Sequence, residues 1–316
     1  MAHEFSSGTV RTSSQAFPHG ASPFLVLGNK KAGRGRAFRI GGRLETWLAS
    51  RGCPARFFWP NSREELRGLV AKAAAAGERR IVVLGGDGTL LDVVSQVRGL
   101  DIELGLLPAG DANDVAAALN LPRDPLSAAD FLLKWNTRLI DLVRVRMADG
   151  RERVYVGVGG AGLDAEAARL AAGQFRWLPG IWRYLAGAVV AFGRGERFEV
   201  QLEFDGQSWR GDVLLVAVAN APAYGGGIRI APEARVDDGC LDIALAEDLS
   251  WKQILRALPS LGRAGDTRRL NLRRFRARHV RIHTAFPVAF HGDGEALGAT
   301  PLEVEVLPGA LRVVAP

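Results

Sequence analysis

The sequence predicts an α/β domain with a parallel sheet followed by a mostly antiparallel β-sandwich domain. Three observations carry this. Short apolar runs alternate with helix-patterned segments in the first half, the arrangement of βαβ units. From about Thr137 onward, β-rich runs arrive in series. Two of these, Arg197–Phe204 and Leu302–Leu307, alternate apolar with polar residues as half-buried antiparallel strands do.

Phe24–Gly28 is an apolar run read as the first strand, and a helix over Ala37–Arg51 follows, stopped by Gly52. Ala55–Trp59 reads as the second strand. Ser62 opens the next helix with Glu65 three residues on, the spacing of a capping box, and Gly77 closes it. Ile81–Leu84 and Leu104–Leu107 are the third and fourth strands. The later β runs are Leu139–Met147, Arg153–Val158, Phe198–Phe204, Val213–Ala219, Cys240–Ala246, Ala277–His283, Val288–His291, Leu302–Val306 and Leu311–Val314. Two helices interrupt them, near Ile181–Phe192 and Trp251–Leu261. The expected division is a flexible Ser-rich leader over 1–21, an α/β domain over 22–136 and a β-rich domain over 137–310. The last strand, 311–316, is open to return to the first domain.

With 316 residues, 47% hydrophobic and 24% charged, the chain has an ordinary globular composition, which excludes disorder. Cys53 and Cys240 cannot form a disulfide framework or a four-thiolate zinc site, and they read as reduced thiols. Polar residues dominate the start, so no secretory signal is expected. Trp177–Gly193 is the longest apolar stretch; it is too short for a membrane span and holds Arg183. The expected location is the cytoplasm, with peripheral contact at the inner face of the membrane as an open option. The net charge of +7 comes with no recognised nucleic-acid-binding motif, so no nucleic-acid partner is expected.

Chemistry concentrates in glycine clusters. Leu84–Leu91 follows a strand and opens a helix in which Leu91, Val94 and Val97 recur at helical spacing. Paired glycines let a ligand approach the backbone, and amides at a helix start attract phosphate. Asp87 is placed at the C-terminal end of a parallel strand, where open α/β sheets bind ligands. A plain strand-turn-helix link is the alternative. Leu106–Ala116 repeats the logic, with Gly110 in the turn and Asn113 and Asp114 as candidate helix caps. Together the two turns favour one nucleotide site in a Rossmann-like domain. In the second half, Gly157–Gly162 and Gly225–Gly227 read as flexible close-approach loops. Val236–Asp242 is an acidic turn, either a hairpin turn or a hard-cation site. His291–Leu297 carries Asp293 and Glu295 around Gly294, either a solvated turn or the seat of a general base.

In this order, the pieces resemble the diacylglycerol kinase catalytic family, in particular its soluble bacterial lipid kinases, which look like sphingosine kinases. The resemblance runs from about Phe24 to the C-terminus. It rests on Gly85-Gly86-Asp87-Gly88-Thr89, Pro108-Ala109-Gly110-Asp111-Ala112-Asn113-Asp114, Gly225-Gly226-Gly227, Pro232 with Asp238-Gly239-Cys240-Leu241-Asp242, and Asp293-Gly294-Glu295. It implies phosphorylation of a lipid hydroxyl with ATP as donor and Mg²⁺. The nucleotide would be held by Asn29, by Gly85, Gly86, Asp87, Gly88, Thr89, Leu90, Leu91 and Asp92, and by Gly110, Asp111 and Asn113. Asp238, with the carbonyls of Arg235 and Cys240, matches the family's magnesium site. Glu295 matches its proton acceptor, and Asp87 is assigned with it to catalysis through water-mediated help to magnesium.

Two positions depart from the family. Lys30 follows Asn29 where a proline is usual, and Asp111 stands where a threonine usually touches phosphate. An anionic Asp111 needs a magnesium ion or an arginine beside it, and the run Lys30, Lys31, Arg34, Arg36 is the expected compensation. Phosphoryl transfer to lipid also implies an apolar channel with a cationic rim. Trp177–Gly193 with Arg176 and Arg194, and Arg263–Arg281 with eight Arg, are the candidate membrane-facing segments. Their plain readings are a core helix and an Arg-rich strand face. The alternative functions are a NAD-kinase-like enzyme, which shares the GGDGT turn, and a regulatory protein that binds lipid or nucleotide without catalysis.

Overall fold

The computed structural model describes residues 24–178, 181–194 and 197–316. The expected leader lies outside them, as do the side chains of Arg194 and Arg263. The α/β half runs β1 (Leu25–Gly28), α1 (Arg36–Ser50), β2 (Arg56–Phe58), α2 (Arg63–Ala75), β3 (Arg80–Gly85), α3 (Asp87–Val97), β4 (Glu103–Pro108), α4 (Asp114–Ala118) and α5 (Pro125–Lys134). Its strands pair in parallel in the order β2-β1-β3-β4. They are apolar throughout because both faces are covered. Leu25, Leu27, Ile81 and Val83 face α2 and α3, while Val26, Val82 and Leu84 face α1 and α5. The sequence reading passed over α5, although Asp124 caps it and Pro125 stands at its start, a readable helix signal.

The second half contains β5 (Thr137–Met147), β6 (Glu152–Tyr155), β7 (Val158–Gly162), α6 (Leu163–Ala172), α7 (Ile181–Arg194), β8 (Phe198–Phe204), β9 (Gln207–Val213), β10 (Leu215–Ala219), β11 (Leu241–Ala246), α8 (Trp251–Ala264), β12 (Arg273–Ala277), β13 (His279–Thr284), β14 (Ala289–Gly292), β15 (Glu295–Ala299) and β16 (Leu302–Val314). Six antiparallel strands form one layer, β12-β11-β10-β7-β14-β15. It packs on the antiparallel part of the first sheet, with Val200, Leu202, Val280 and Val304 meeting Val216, Ile243 and Phe290. β16 joins the two halves. Its Leu302–Glu305 segment pairs with β13, and Arg312 and Val313 pair in parallel with β4, so one sheet of ten strands spans the molecule. The two runs read at Leu302 and Leu311 are therefore one strand with an irregularity between Leu307 and Leu311. The kink contains Gly309 in the left-handed region.

Three local readings are corrected. Gly157–Gly162 is not a loop: Val158–Gly162 is the inner strand β7. Its glycine is a packing requirement, since a Cβ on Gly159 would lie 2.8 Å from the Phe290 ring. Val236–Asp242 is not a hairpin turn, because it enters β11 from a long connection after β10. At α2, Ser62 accepts the Glu65 N–H at 3.1 Å, but the Glu65 carboxylate takes the Asn61 N–H at 2.7 Å. The box is thus displaced by one residue. Cys53 and Cys240 are free thiols. No described helix is long and apolar enough to cross a membrane.

Candidate active site

A cleft of about 500 Å³ lies between the C-terminal ends of β1, β3 and β4 and the Asp293–Glu295 turn. Its floor is two glycine turns in backbone contact. A Cβ on Gly110 would stand 2.5 Å from Gly86 Cα, so that position has no room for a side chain, and one on Gly86 would stand 3.0 Å from Gly110 Cα. Gly85 C=O accepts the Ala109 N–H at 2.7 Å and fixes the turns side by side. Asn29 crosses from β1 and donates to Thr89 Oγ1 at 2.9 Å. Asn113 does not cap α4: held in the left-handed region, its amide bonds both the N–H and C=O of Gly110 at 2.9 Å.

The cap of α4 is Asp87. Its carboxylate oxygens accept the Asp114 and Val115 N–H groups, each at 3.2 Å. Asp87 is thus a brace between the two turns. Thr89 stays in the cleft wall, while Leu90 and Leu91 turn into the core beneath it. Asp92 lines the cleft and is held by Arg67 at 2.7 Å and Arg63 at 3.3 Å.

The opposite wall comes from the sandwich half. Asp293 accepts the Val156, Gly157 and Val158 N–H groups at 2.7, 2.9 and 3.2 Å. Glu295 faces Gly88 across the cleft, its Oε1 3.1 Å from where a Gly88 Cβ would stand. Both Glu295 oxygens take bonds from the Arg63 guanidinium. Asp111, the departure that raised the question of lost nucleotide binding, pairs with Arg183 of α7 at 3.0 Å. Of the Lys30–Arg36 run, Lys30 bonds Asn61, Arg34 bonds the Arg176 C=O and Arg36 bonds the Gly110 C=O, while Lys31 lines the cleft.

Asp87, Asp114 and Asp293 crowd one another. Burial pushes Asp114 up to about 7, the Asp87 charge adding to the rise and the Gly226 N–H opposing it. Asp293 is pushed up to about 6, again by burial first, and Asp87 is raised in the same direction. Carboxyls perturbed by burial and by one another in a cleft mark a candidate functional site. Three residues here escaped the sequence reading. Arg63 is a cation at a helix start, where the dipole prefers acids, and that misfit was the available signal. Arg183 was visible as the one charge in an apolar run. Asp114 was read only as a cap, and its partner, the Gly226 N–H at 3.0 Å, lies too far along the chain to be read locally.

The expected magnesium residues sit elsewhere. One Asp238 oxygen accepts the Cys240 N–H at 3.1 Å, and the other is taken by Arg276. The turn at Arg235, Asp238 and Cys240 therefore does not fit a magnesium ion as it stands: its positive charge is a guanidinium.

A cleft between a Rossmann-like sheet and a β-sandwich, floored by glycine turns at a helix start, is a place where a phosphate chain can bind. Residues 23–145 match the diacylglycerol kinase catalytic domain, and residues 157–315 match the YegS C-terminal NAD kinase beta sandwich-like domain. The chain is 30% identical over 301 residues to a diacylglycerol kinase of Mycobacterium tuberculosis, covering 94% of this chain and 96% of that one. It is 33% identical over 251 residues to a probable lipid kinase YegS-like of Pseudomonas putida, covering 78% and 81%. A crystal structure of a putative diacylglycerol kinase from Bacillus anthracis superimposes with a TM-score of 0.77 at 23% identity, covering 93% of this chain and 97% of that one. This chain belongs to the diacylglycerol kinase family of lipid kinases, and it is a kinase.

Proposed function

We propose that this kinase transfers the γ-phosphate of ATP to a hydroxyl of a lipid, with Glu295 as the proton acceptor. The observation that carries the reading is Glu295 standing against Gly88 at the start of α3, where amide dipoles favour a phosphate chain. Asn29, Gly86, Gly88, Thr89 and Gly110 cradle the phosphates, with Arg183 and Lys31 at the rim. The acceptor oxygen attacks the γ-phosphorus as its proton passes to Glu295, and the bond to the β-phosphate oxygen breaks with its electron pair leaving on ADP. Arg63 holds Glu295 in place until a substrate hydroxyl competes for it. A magnesium ion bound with the nucleotide would neutralise phosphate charge, Asp87 reaching it through water.

A second cavity of about 470 Å³ supports a lipid acceptor. Leu163, Phe198, Leu214, Phe286 and Val288 wall it, and Phe286 is exposed at 56%. The volume suits an organic ligand chain. Trp177 and Trp182 are also exposed, at 69% and 53%, which suits contact with a bilayer. Several arginines of the 263–281 run are already ion-paired, among them Arg268, Arg273, Arg276 and Arg281. The aromatic segment therefore carries this contact better than the arginine run. Incubation with labelled ATP and a panel of diacylglycerol, sphingoid base and phosphatidylglycerol, with NAD as control, tests the function. Label in a lipid product is expected; label in NAD alone would overturn it.

A further inference from the structure

His291 on β14 stands between two cavities. On one side is a small chamber bounded by Asp87, Asp114, Tyr184 and Asp293. On the other is the apolar cavity walled by Phe198, Leu214 and Phe286. Among the residues that line the two, His291 alone is shared. The register of β14 against β15 shifts between Phe290 and His291, a bulge of the kind that re-aims a side chain beside an active site. Its partner across on β7 is Gly160, which has no side chain to cover the ring. The imidazole Nδ1 is buried and has no hydrogen-bond partner.

A buried polar atom without a partner is uncommon, and here it lies where a ligand would pass. Burial lowers the pKa of the ring, with the Glu295 charge opposing, so the ring is neutral and offers one donor and one acceptor. Arg169 and Arg197 also line the larger cavity, but Arg169 is paired with Glu166 and Arg197 with Asp248, so a neutral ring beside three carboxylates leaves no unpaired cation there for an anionic head group. It suits an uncharged amphiphile that carries a hydrogen-bonding group next to its reactive hydroxyl.

We propose that His291 is an acceptor-binding residue: Nδ1 hydrogen-bonds the polar backbone of a neutral lipid alcohol whose chain occupies the apolar cavity and whose hydroxyl reaches Glu295 through the small chamber. The inference rests on the lipid-kinase reading above and deepens it. It gives a partner to the polar atom that stands at the doorway between the two cavities.

The test compares wild type with His291→Phe, His291→Ala and His291→Asn, using dioctanoylglycerol as probe. KM for the lipid and for ATP are measured, together with direct lipid binding by intrinsic tryptophan fluorescence and the melting temperature. His291→Phe and His291→Ala should each raise the lipid KM and Kd by about tenfold, the loss of one well-placed hydrogen bond, with the ATP KM unchanged. His291→Asn, whose amide can take the place of Nδ1, should stay within about threefold of wild type. Unchanged lipid KM and Kd in both the Phe and Ala variants would overturn the inference while leaving a working lipid kinase intact. A parallel rise in the ATP KM would overturn it too, since the ring would then serve the whole cleft. If wild type binds the lipid without phosphorylating it, and His291→Ala loses that binding, the kinase reading falls and the binding role stands. Binding and turnover both absent in wild type would overturn both.

Discussion

Two acidic, glycine-containing turns in this molecule differ in how their aspartates are compensated. At Asp293–Glu295, Asp293 and Gly294 are both left-handed, and the Asp293 carboxylate is satisfied by three backbone N–H groups and no cation. Its charged neighbours include Asp87, and its carboxyl is raised. At Asp237–Cys240, every acid has an arginine: Asp237 meets Arg138 and Arg235, and Asp238 meets Arg276. Buried Asp141 ties that turn to the β16 kink by accepting the Gly239 N–H at 2.7 Å and the Gly309 N–H at 2.8 Å. Acidity in a turn is therefore uninformative until the counter-charges are counted. An uncompensated acid costs stability and leaves a group whose proton affinity suits chemistry. A compensated one fastens two strands.

Glu295, in the same turn as Asp293, is ion-paired with Arg63 and still faces the cleft, and the largest effect is expected there. Glu295→Gln keeps the shape and removes the basicity. It should lower kcat by about 10²–10⁴, with nucleotide affinity little changed. Asp293→Asn should be milder, because its oxygens are already taken by the backbone N–H groups of residues 156–158. A dead Asp293→Asn beside an active Glu295→Gln, read in the same kinase assay, would move the base to Asp293.

On the structural side of the comparison, Asp141→Ala leaves two N–H groups near the β16 kink without their acceptor. The expected loss is about 3 kcal/mol, seen as a lower urea midpoint at constant slope. A loss under about 1 kcal/mol would show that water or relaxation replaces the carboxylate. The Asp237–Cys240 turn should also be insensitive to magnesium. Arg276 is half-exposed, so Arg276→Ala should cost only about 1 kcal/mol in EDTA, and added Mg²⁺ should recover part of it. A magnesium-dependent rise in melting temperature in wild type, abolished by Asp238→Ala, would instead make this turn a metal site.

What could be read in advance follows the range of the interactions. The parallel half was legible because each βαβ unit writes its pattern within a few dozen residues, and both glycine turns announced themselves. Glu295 and Asp87 were found by motif, but their partners were not. Arg63 lies 232 residues from Glu295, and Arg183 lies 72 from Asp111. No local pattern records such pairings. β7 was misread because a glycine-rich strand looks like a loop until Phe290 is seen to need the space. Asp141 was legible in principle, as one acid inside an apolar strand, but its function depends on two turns that only the fold brings together.

The last expected effect lies in the pH dependence of the acidic cluster. A carboxyl raised to about 7 in the native state titrates near 4 in the unfolded chain. Between those values the native state binds more protons, so stability is highest at the acid end of the window and is lost as the pH rises toward 7. Asp293, raised to about 6, acts in the same direction over the lower part of that window. Asp114→Asn removes one titration while its amide oxygen can still accept the Gly226 N–H. In EDTA and without nucleotide, wild type and variant should melt alike near pH 5. At pH 8 the variant should melt higher. Asp87→Asn should act on the same group from outside, because removing its charge lowers the Asp114 pKa and moves the wild-type loss to lower pH. Parallel melting curves for wild type and Asp114→Asn across pH 5–8 would mean that Asp114 is paired or hydrated in solution, and that the cleft turn is as well compensated as the one held by Arg276.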